Sequence, residues 1–384
     1  MTPLRRIVAR HAIREIVAGL SLAALVLTGC ERSQPPPQPA APEAPATAPV
    51  AEKVLPARPL GVRTGTFIDR EQETDLRVAT YNIEWNSIFP DVNEPRAAKF
   101  ARVIPVLNPD ILALQEIGAN PGDRDRPGSR KRTADDVLKL MSQIAPLPND
   151  GTWHVFQGGD NVIVSKFPLK MTATRTEPPG QRDLAMALVD LPDAGFKFDV
   201  YVLANHFKCC DAEKNDPLRQ QQADAIVSWL RDARTPGGGI DLPAGTAIVA
   251  LGDLNIVGAF QPVQTLLDGD IIDEGKYGSD FKLDWDNTSL ADAHPLRNMA
   301  GPEDFTWRDD TSKFAPGRLD YIIFTDSVLD PVKKFVLDTT GMSPEDLAAA
   351  GLEKLDTAKD DEGKRCDHLP VVVDFRAPAG ASDK

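Results

Sequence analysis

Short apolar runs rich in β-branched residues recur along this chain and alternate with segments of helical periodicity. Runs of this length and composition are typical of strands, and a strand that is apolar along its whole length is buried on both faces. Such strands need helices on the outside of their sheets, so the pattern predicts a layered α/β fold. The predicted strands cover 76–85, 110–117, 161–166, 184–191, 198–207, 246–255, 319–324 and 369–375.

Three segments have the apolar spacing of amphipathic helices, namely 95–107, 133–144 and 216–234. In the third, an apolar stripe recurs at helical spacing, and we expect it to face the core rather than a partner protein. The stripe consists of Ile226, Trp229, Leu230 and Ala233. Because 42% of the 384 residues are hydrophobic, the chain can bury a large core, and we assign one folded domain to 61–384.

The amino-terminal residues 1–29 resemble the signal peptide of a bacterial lipoprotein. Arginines precede an apolar run from Ile16 to Leu27, which is too short to span a membrane. The run leads into Thr28-Gly29-Cys30, similar to the lipobox at which bacteria cut the leader and acylate the cysteine. We therefore expect a lipid on Cys30 that anchors the protein in the bacterial envelope, at the outer membrane facing the periplasm or the cell surface. A plain export signal is the alternative.

Residues 30–60 begin with Cys30 and continue as a proline- and alanine-rich segment. Such a segment favours extended polyproline conformations, so it predicts a spacer between the lipid and the folded domain. The net charge of the whole chain is −14. This charge argues against a protein that binds duplex DNA tightly and without sequence preference, because phosphate contacts supply that affinity. It does not exclude a nuclease whose acidic residues surround bound cations.

Carboxylate, amide and imidazole side chains recur where the predicted strands begin or end. Active sites of open α/β sheets collect at strand ends, because rigid strands fix the polar groups while loops leave room for a ligand. Each of these residues alone has an ordinary explanation as a turn former, a solvated carboxylate or a core histidine. Their recurrence in the same structural position predicts one converging cluster. Its members are Asn82, Glu84, Gln115, Glu116, Asn205, His206, Asp253, Asn255, Asp320, Asp367 and His368.

Six motifs of this cluster resemble, in order, those of the endonuclease/exonuclease/phosphatase superfamily, over about 76–375. Members of that superfamily include exonuclease III, pancreatic deoxyribonuclease, bacterial sphingomyelinases and inositol polyphosphate 5-phosphatases. The resemblance implies a four-layer α/β sandwich, with two packed mixed β-sheets flanked by helices. It also implies hydrolysis of phosphate esters with Mg²⁺ or Mn²⁺, and we expect a monomer. The motifs are "RVATYNIEW", "ILALQEI", "NHF", "ALGDLN", "RLDYIIF" and "CDHLPVVVDF".

The resemblance and the chemistry together predict a metal site of oxygen ligands. Mg²⁺ prefers hard oxygen donors and is bound through one or two carboxylates plus the substrate. We expect Glu116 to be the main ligand, with Asn82 beside it. Glu84 lies two residues after Asn82 and would share its side of the strand, so it is a further candidate. Asp367 matches the acidic residue of the family's "DH" motif and is a candidate ligand for a second metal.

The proton chemistry is predicted to rest on His368 and Asp320. A carboxylate that holds one imidazole nitrogen fixes the tautomer and raises the basicity of the other nitrogen. Asp253 would hold or deprotonate the attacking water. The family resemblance leaves open which of Asp253 and His368 takes the proton.

The remaining predicted roles concern the substrate. We expect Asn82 and Asn255 to bind it, Asn255 through a phosphate oxygen. His206 would donate a hydrogen bond to the phosphate or a proton to the leaving group, and Glu177 would orient it. Trp307 lies in a segment that resembles a short family strand bordering the pocket, so contact with substrate and packing in the core are both open.

Three cysteines remain beyond Cys30, and in an exported protein they can oxidise. If the two family histidines converge on one phosphate, the loops that flank them must also approach each other. We therefore expect a disulfide from Cys366 to Cys209 or Cys210, with one thiol left over. A zinc site is the alternative, but no C-x-x-C spacing supports it. A bond between Cys209 and Cys210 is a second, strained alternative.

The predicted function is that of a lipid-anchored phosphodiesterase, in particular a nuclease that acts outside the cytoplasm. The stretch "NHFKCC" resembles a variant found in extracellular bacterial nucleases, which points to nucleic acid as the substrate. A phospholipase of the sphingomyelinase type and a phosphomonoesterase are the alternatives within the same chemistry. A non-catalytic module that only binds a phosphate ligand is the alternative outside it.

Overall fold

A computed structural model describes residues 55–118, 131–210 and 212–378. The predicted leader, the lipidation site at Cys30 and most of the predicted spacer lie outside these residues. In the described part of the chain, no helix is both long enough and apolar enough to cross a membrane.

The described chain forms strands and helices that alternate along the sequence. The strands are β1 (Leu76–Asn82), β2 (Ile111–Gln115), β3 (His154–Gly158), β4 (Asn161–Ser165), β5 (Leu169–Thr176), β6 (Asp183–Val189), β7 (Val200–His206), β8 (Ala247–Asp253), β9 (Ala291–Asp292), β10 (Trp307–Asp309), β11 (Asp320–Phe324), β12 (Asp330–Val336), β13 (Arg365–His368) and β14 (Val371–Arg376). The helices are α1 (Glu94–Leu107), α2 (Ala134–Ile144), α3 (Ala212–Arg234), α4 (Gln261–Asp268), α5 (Glu274–Tyr277) and α6 (Pro344–Ala350).

Two mixed six-stranded sheets carry the fold. The first has the order β12-β14-β1-β2-β4-β3, and the second has the order β5-β6-β7-β8-β11-β9. Each contains a central parallel pair, β1 with β2 and β7 with β8. In these pairs Asn82 lies opposite Gln115 and His206 lies opposite Asp253. Polar residues therefore stand at the carboxyl ends of both parallel pairs.

Three apolar clusters separate the layers. Val78 of β1 and Val202 of β7 lie in one cluster between the sheets, whereas Ala79 of β1 packs with α1 and α2 on the outer face of the first sheet. Leu203 of β7 packs with Ile226 of α3 on the outer face of the second sheet. This alternation follows from the two-residue period of a strand. The result is a four-layer α/β sandwich, as predicted.

All eight predicted strands and all three predicted helices are present. The strands without a sequence prediction include β5 and β12, which lie at sheet edges. β5 is mostly polar and largely exposed, and charged residues interrupt the apolar residues of β12, so neither shows the apolar run that identifies an inner strand. The predicted stripe on α3 faces the core, where Ile226 and Leu230 are buried.

The predicted disulfide is wrong, because the three cysteines are free thiols. Cys366 is fully buried in the cluster between the sheets, where its Sγ donates to the carbonyl of Arg308 at 3.4 Å. Burial raises the pKa of Cys366 to about 12. Cys209 and Cys210 precede α3, and the Asn215 Nδ2 donates to both of their carbonyls, at 2.9 and 3.1 Å. The thiol of Cys366 is thus occupied in the core between the sheets and forms no bond with either cysteine of that loop.

Candidate active site

Asp253, the last residue of β8, stands at the centre of the predicted cluster. Its Oδ2 accepts hydrogen bonds from Asn82 Nδ2 at 3.1 Å and from Asn255 Nδ2 at 2.9 Å. The same oxygen lies 3.5 Å from Nε2 of His206 and 3.6 Å from Nε2 of His368. Residues far apart in the sequence therefore meet around one buried carboxylate.

The backbone around Asp253 is shaped by its neighbours in the "GDLN" motif. Gly252 has a φ of +130°, and a Cβ there would lie 2.1 Å from the carbonyl oxygen of Asn205, so only glycine fits. Asn255 has a φ of +50° and donates its backbone N–H to Asp253 Oδ1 at 2.8 Å. This left-handed turn directs the Asn255 amide back toward Asp253. Backbone strain of this kind is concentrated at functional sites.

His368 and Asp320 form a buried pair. Nδ1 of His368 lies 2.8 Å from Oδ2 of Asp320, and the Thr306 hydroxyl donates to the same oxygen at 2.6 Å. Asp320 lies directly opposite Asp253 on the neighbouring strand. Burial opposes protonation of His368, but the charges of Asp320, Asp253 and Asp367 outweigh it and raise the pKa of His368 well above its usual value.

His206 forms a second pair with Asp160, which lies in the turn between β3 and β4. Nδ1 of His206 lies 2.8 Å from Oδ2 of Asp160, and its Nε2 lies 3.7 Å from Oε1 of Glu116. The Arg182 guanidinium contacts Nε2 and donates to the Phe207 carbonyl at 2.9 Å. Because arginine only donates, Nε2 is the acceptor in this contact.

Asp160 and Arg182 are the site residues that the sequence analysis missed, and Glu177 is one that it misplaced. Glu177 accepts hydrogen bonds from the Tyr277 hydroxyl at 2.8 Å and from Lys276, not from His206. It follows the edge strand β5, where its carboxylate meets α5. The available signal for Asp160 was its position directly before a predicted strand, since the other site residues also lie at strand ends.

Glu116 lies just beyond β2 with a φ of +68°. Its Oε2 accepts the backbone N–H of Trp85 at 3.0 Å. Burial raises the pKa of Glu116, although His206 and His368 act in the opposite direction. A partly buried carboxylate whose pKa is raised in this way is stabilised by a cation, so the site fits the divalent metal that the sequence analysis predicted.

The two other predicted metal ligands have partners at the edge of the site. Glu84 has a φ of +55°, and its carboxylate forms an ion pair with Lys359. Asp367 has a φ of +54° and accepts a hydrogen bond from Trp307 Nε1 at 3.2 Å. The charge of Asp367 acts on the neighbouring His368. The Glu84 carboxylate is instead paired with Lys359.

The sequence model described as Endonuclease/Exonuclease/phosphatase family matches residues 79–343. This chain belongs to that family. The family hydrolyses phosphate esters, and the two sheets and the polar cluster at their strand ends agree with its fold. No curated protein matches the sequence.

Solved structures of the same fold are similar to this family member at low sequence identity. TDP2 from Caenorhabditis elegans is 17% identical, with 79% of this chain and 74% of that chain covered and a TM-score of 0.50. The human Nocturnin catalytic domain with bound sulfate is 15% identical, with coverages of 80% and 97% and a TM-score of 0.47. An endonuclease/exonuclease/phosphatase from Beutenbergia cavernae is 20% identical, with coverages of 80% and 73% and a TM-score of 0.46.

Two groups of residues in this family member have the chemistry of a metal site. Oxygen and nitrogen atoms of Asp253, Asp320 and His368 lie within 4.8 Å of one another. However, Asp320 and His368 already bind each other at 2.8 Å. The carboxylate of Glu116 and the amide oxygen of Asn82 supply hard oxygen donors outside that pair, so we favour them as metal ligands.

Proposed function

We propose that this protein is a divalent-metal-dependent phosphodiesterase that cleaves nucleic acid outside the cytoplasm. The observation that carries the proposal is the convergence of two buried imidazoles on Asp253, each held at Nδ1 by its own aspartate at 2.8 Å. Hydrolysis of a phosphodiester needs one group that takes a proton from water and another that gives a proton to the leaving oxygen. Two separate imidazole–carboxylate pairs meet that need.

We assign the base to His206 and the acid to His368. Nε2 of His206 has one lone pair, which Arg182 engages in the free protein; when the guanidinium turns to the substrate phosphate, this lone pair can take the proton of a water molecule oriented by Asp253. His368 is surrounded by carboxylates, which favour the imidazolium. This assignment differs from the sequence-based prediction, in which Asp253 or His368 took the proton of the water and His206 served the phosphate or the leaving group.

In the proposed reaction one P–O bond forms as another breaks, and one proton is taken up as another is given. Water attacks phosphorus, its proton passes to Nε2 of His206, and Asp160 stabilises the imidazolium that forms. The bond from phosphorus to the leaving oxygen breaks, and His368 protonates that oxygen. Glu116 and Asn82 would hold a divalent cation, which would neutralise the charge of the phosphate. Asn255 is placed to bind a phosphate oxygen.

Nucleic acid is favoured over phospholipid by the site's own residues and by the sequence. Arg182 lies beside the catalytic imidazole and over the ring of Trp85, with 5.9 Å between the guanidinium carbon and the ring centroid. An arginine and an aromatic ring together suit a phosphate that is linked to a base. The "NHFKCC" stretch resembles a motif variant of extracellular bacterial nucleases, which also favours nucleic acid as the substrate.

The experiment is an assay of the folded domain with Mg²⁺, with Mn²⁺ and with a chelator. Plasmid DNA, RNA, sphingomyelin vesicles and a phosphate monoester are the substrates, and Asp253→Asn is the blank. We expect metal-dependent cleavage of DNA or RNA that the blank lacks. Turnover of sphingomyelin or the monoester alone would identify a phospholipase or a phosphatase. Binding without turnover of any substrate would identify a non-catalytic module.

The location is part of the proposal. We propose that Cys30 carries a lipid that anchors the protein in the bacterial envelope, with 31–60 as the spacer. Labelling with a radioactive fatty acid in a bacterial host tests this. We expect label in the full chain and none in Cys30→Ser, and label in neither chain would contradict the anchor.

A further inference from the structure

The turn that follows strand β1 has an unusual backbone. Three successive residues, Glu84, Trp85 and Asn86, have φ values of +55°, +38° and +60°. This left-handed region is unfavourable for residues other than glycine, although asparagine is among those that tolerate it. Such a turn persists only where the surrounding structure holds it. Here it lies beside Glu116, the proposed cation ligand, which accepts the backbone N–H of Trp85.

The side chain of Asn86 fixes this turn to the segment 116–118. Its Nδ2 donates to the carbonyl of Gly118 at 2.6 Å, and its Oδ1 accepts the backbone N–H of Gly118 at 2.9 Å. Asn86 is only 5% exposed, so both bonds are shielded from water. An amide carries a donor and an acceptor side by side. It can therefore pair with both backbone groups of one residue, which an ionised carboxylate cannot do.

The segment that Asn86 holds serves both halves of the proposed reaction centre. The backbone N–H of Asn86 donates to the Glu116 carbonyl at 3.0 Å, and the N–H of Trp85 donates to Glu116 Oε2 at 3.0 Å. The next residue, Ile117, donates its N–H at 3.0 Å to the carbonyl of Asp160, the partner of the proposed base. Asn86 therefore closes a hydrogen-bonded frame around the Glu116 carboxylate.

We propose that Asn86 is a positioning residue for the proposed cation site. By holding Gly118, it keeps the Glu116 carboxylate against the backbone N–H of Trp85, so that Oε1 remains for the cation. The proposal rests on the proposed function, in which Glu116 binds a divalent metal. Groups that hydrogen-bond a metal ligand contribute to metal affinity, because they fix the orientation of the ligand before the metal binds.

The chain contains a matched control for this pair of bonds. Asn298 also has a left-handed backbone, with a φ of +50°. Its Nδ2 donates to the Asp338 carbonyl at 2.8 Å, and its Oδ1 accepts the Asp338 backbone N–H at 2.9 Å. Asp338 belongs neither to the proposed cation site nor to the two histidine pairs. Glycine in place of either asparagine removes the two bonds and still tolerates a positive φ.

The test measures Mn²⁺ affinity by calorimetry, without substrate. We expect Asn86→Gly to bind Mn²⁺ about tenfold more weakly than the wild type, which is the usual effect of losing a group that supports a metal ligand. Asn298→Gly should keep the wild-type affinity, although both variants should unfold at lower urea concentrations. Glu116→Gln identifies the binding that belongs to this site. Unchanged affinity in Asn86→Gly, or an equal loss in Asn298→Gly, would overturn the proposal.

Metal-free protein separates this proposal from the proposed function. If the wild type binds no Mn²⁺, the cation site of the proposed function has failed, and Asn86 is then judged by NMR from the hydrogen exchange of the Trp85 amide. Asn86→Gly should raise that exchange rate about tenfold, because the bond of the Trp85 N–H depends on the placement of Glu116. Asn298→Gly should leave it unchanged. An unchanged Trp85 rate in Asn86→Gly would overturn the positioning role.

Discussion

The His368–Asp320 and His206–Asp160 pairs have nearly the same internal geometry. In each, Nδ1 lies 2.8 Å from an aspartate oxygen, and Nε2 lies 3.5 or 3.6 Å from Asp253. Their surroundings differ. His368 faces carboxylates, and the Thr306 hydroxyl completes the pair with Asp320, whereas His206 receives the guanidinium of Arg182 at Nε2.

This difference shows that the neighbours of an imidazole–carboxylate pair decide its proton state. Carboxylates around His368 favour the charged ring, while the Arg182 guanidinium donates to Nε2 of His206. Two groups whose environments separate their proton states are suited to act as acid and base in one reaction.

The largest expected effect comes from Asp253, which both pairs share. Asp253→Asn removes the charge between the two imidazoles, and one of its amide hydrogens would face Asn82 or Asn255, which already donate to this position. We expect kcat on DNA to fall about 10³-fold or more, which is near the upper range for a group that acts on the reacting water. Single-turnover kinetics with saturating Mg²⁺ measures this. The His206→Gln protein with added imidazole is the control, and rescue of Asp253→Asn by imidazole would contradict the assignment.

The two histidines are distinguished by leaving-group dependence. An acid is dispensable when the leaving oxygen belongs to 4-nitrophenolate, which leaves without a proton, but a base is needed for every ester. We expect His368→Gln to reduce kcat on DNA about 10²-fold and to change kcat little on methyl 4-nitrophenyl phosphate. His206→Gln should reduce both by a similar factor. The reverse pattern would restore the sequence-based assignment of the two roles.

The aspartates position these rings, and their replacement should have a smaller effect than loss of the rings themselves. We expect Asp320→Asn and Asp160→Asn each to lower kcat/KM on DNA by about tenfold to 10²-fold, because the imidazole loses its fixed tautomer. If both aspartates act through their histidines, Asp160→Asn adds little in a His206→Gln background. Full additivity in that double variant would show that Asp160 acts by another route.

Much of the site could be predicted because the residues concerned interrupt strongly apolar strands. Asn82, His206 and Asp253 each end such a strand, and parallel pairing brings those ends together. Asp160 escaped prediction because β3, the strand before its turn, has no fully apolar run, so only the strand that follows marked its position. Edge strands β5 and β12 escaped for the same reason.

The wrong disulfide had a different cause. The approach of His206 and His368 to each other does not require the cysteines next to them to approach, because the elements that carry the cysteines place them in different layers. Cys366 and His368 are both buried on β13, and Cys366 reaches the core between the sheets. Cys209 and Cys210 lie in the loop before α3, which packs on the outer face of the second sheet.

The smallest expected effect is on the free energy of unfolding, whose pH dependence reports on the charge of His368. Its pKa is raised in the folded protein, so the folded state binds more protons than the unfolded state above about pH 6.5, the ordinary histidine pKa. The stabilising contribution is fully present below that pH and is lost as pH rises through the raised pKa. In metal-free protein, the difference in unfolding free energy between wild type and His368→Gln should therefore decrease by about 1 kcal/mol or more from pH 6 to pH 9. Urea titrations at each pH measure it. In an Asp320→Asn background this dependence should become weaker, and an unchanged slope there would mean that other carboxylates hold the proton on His368.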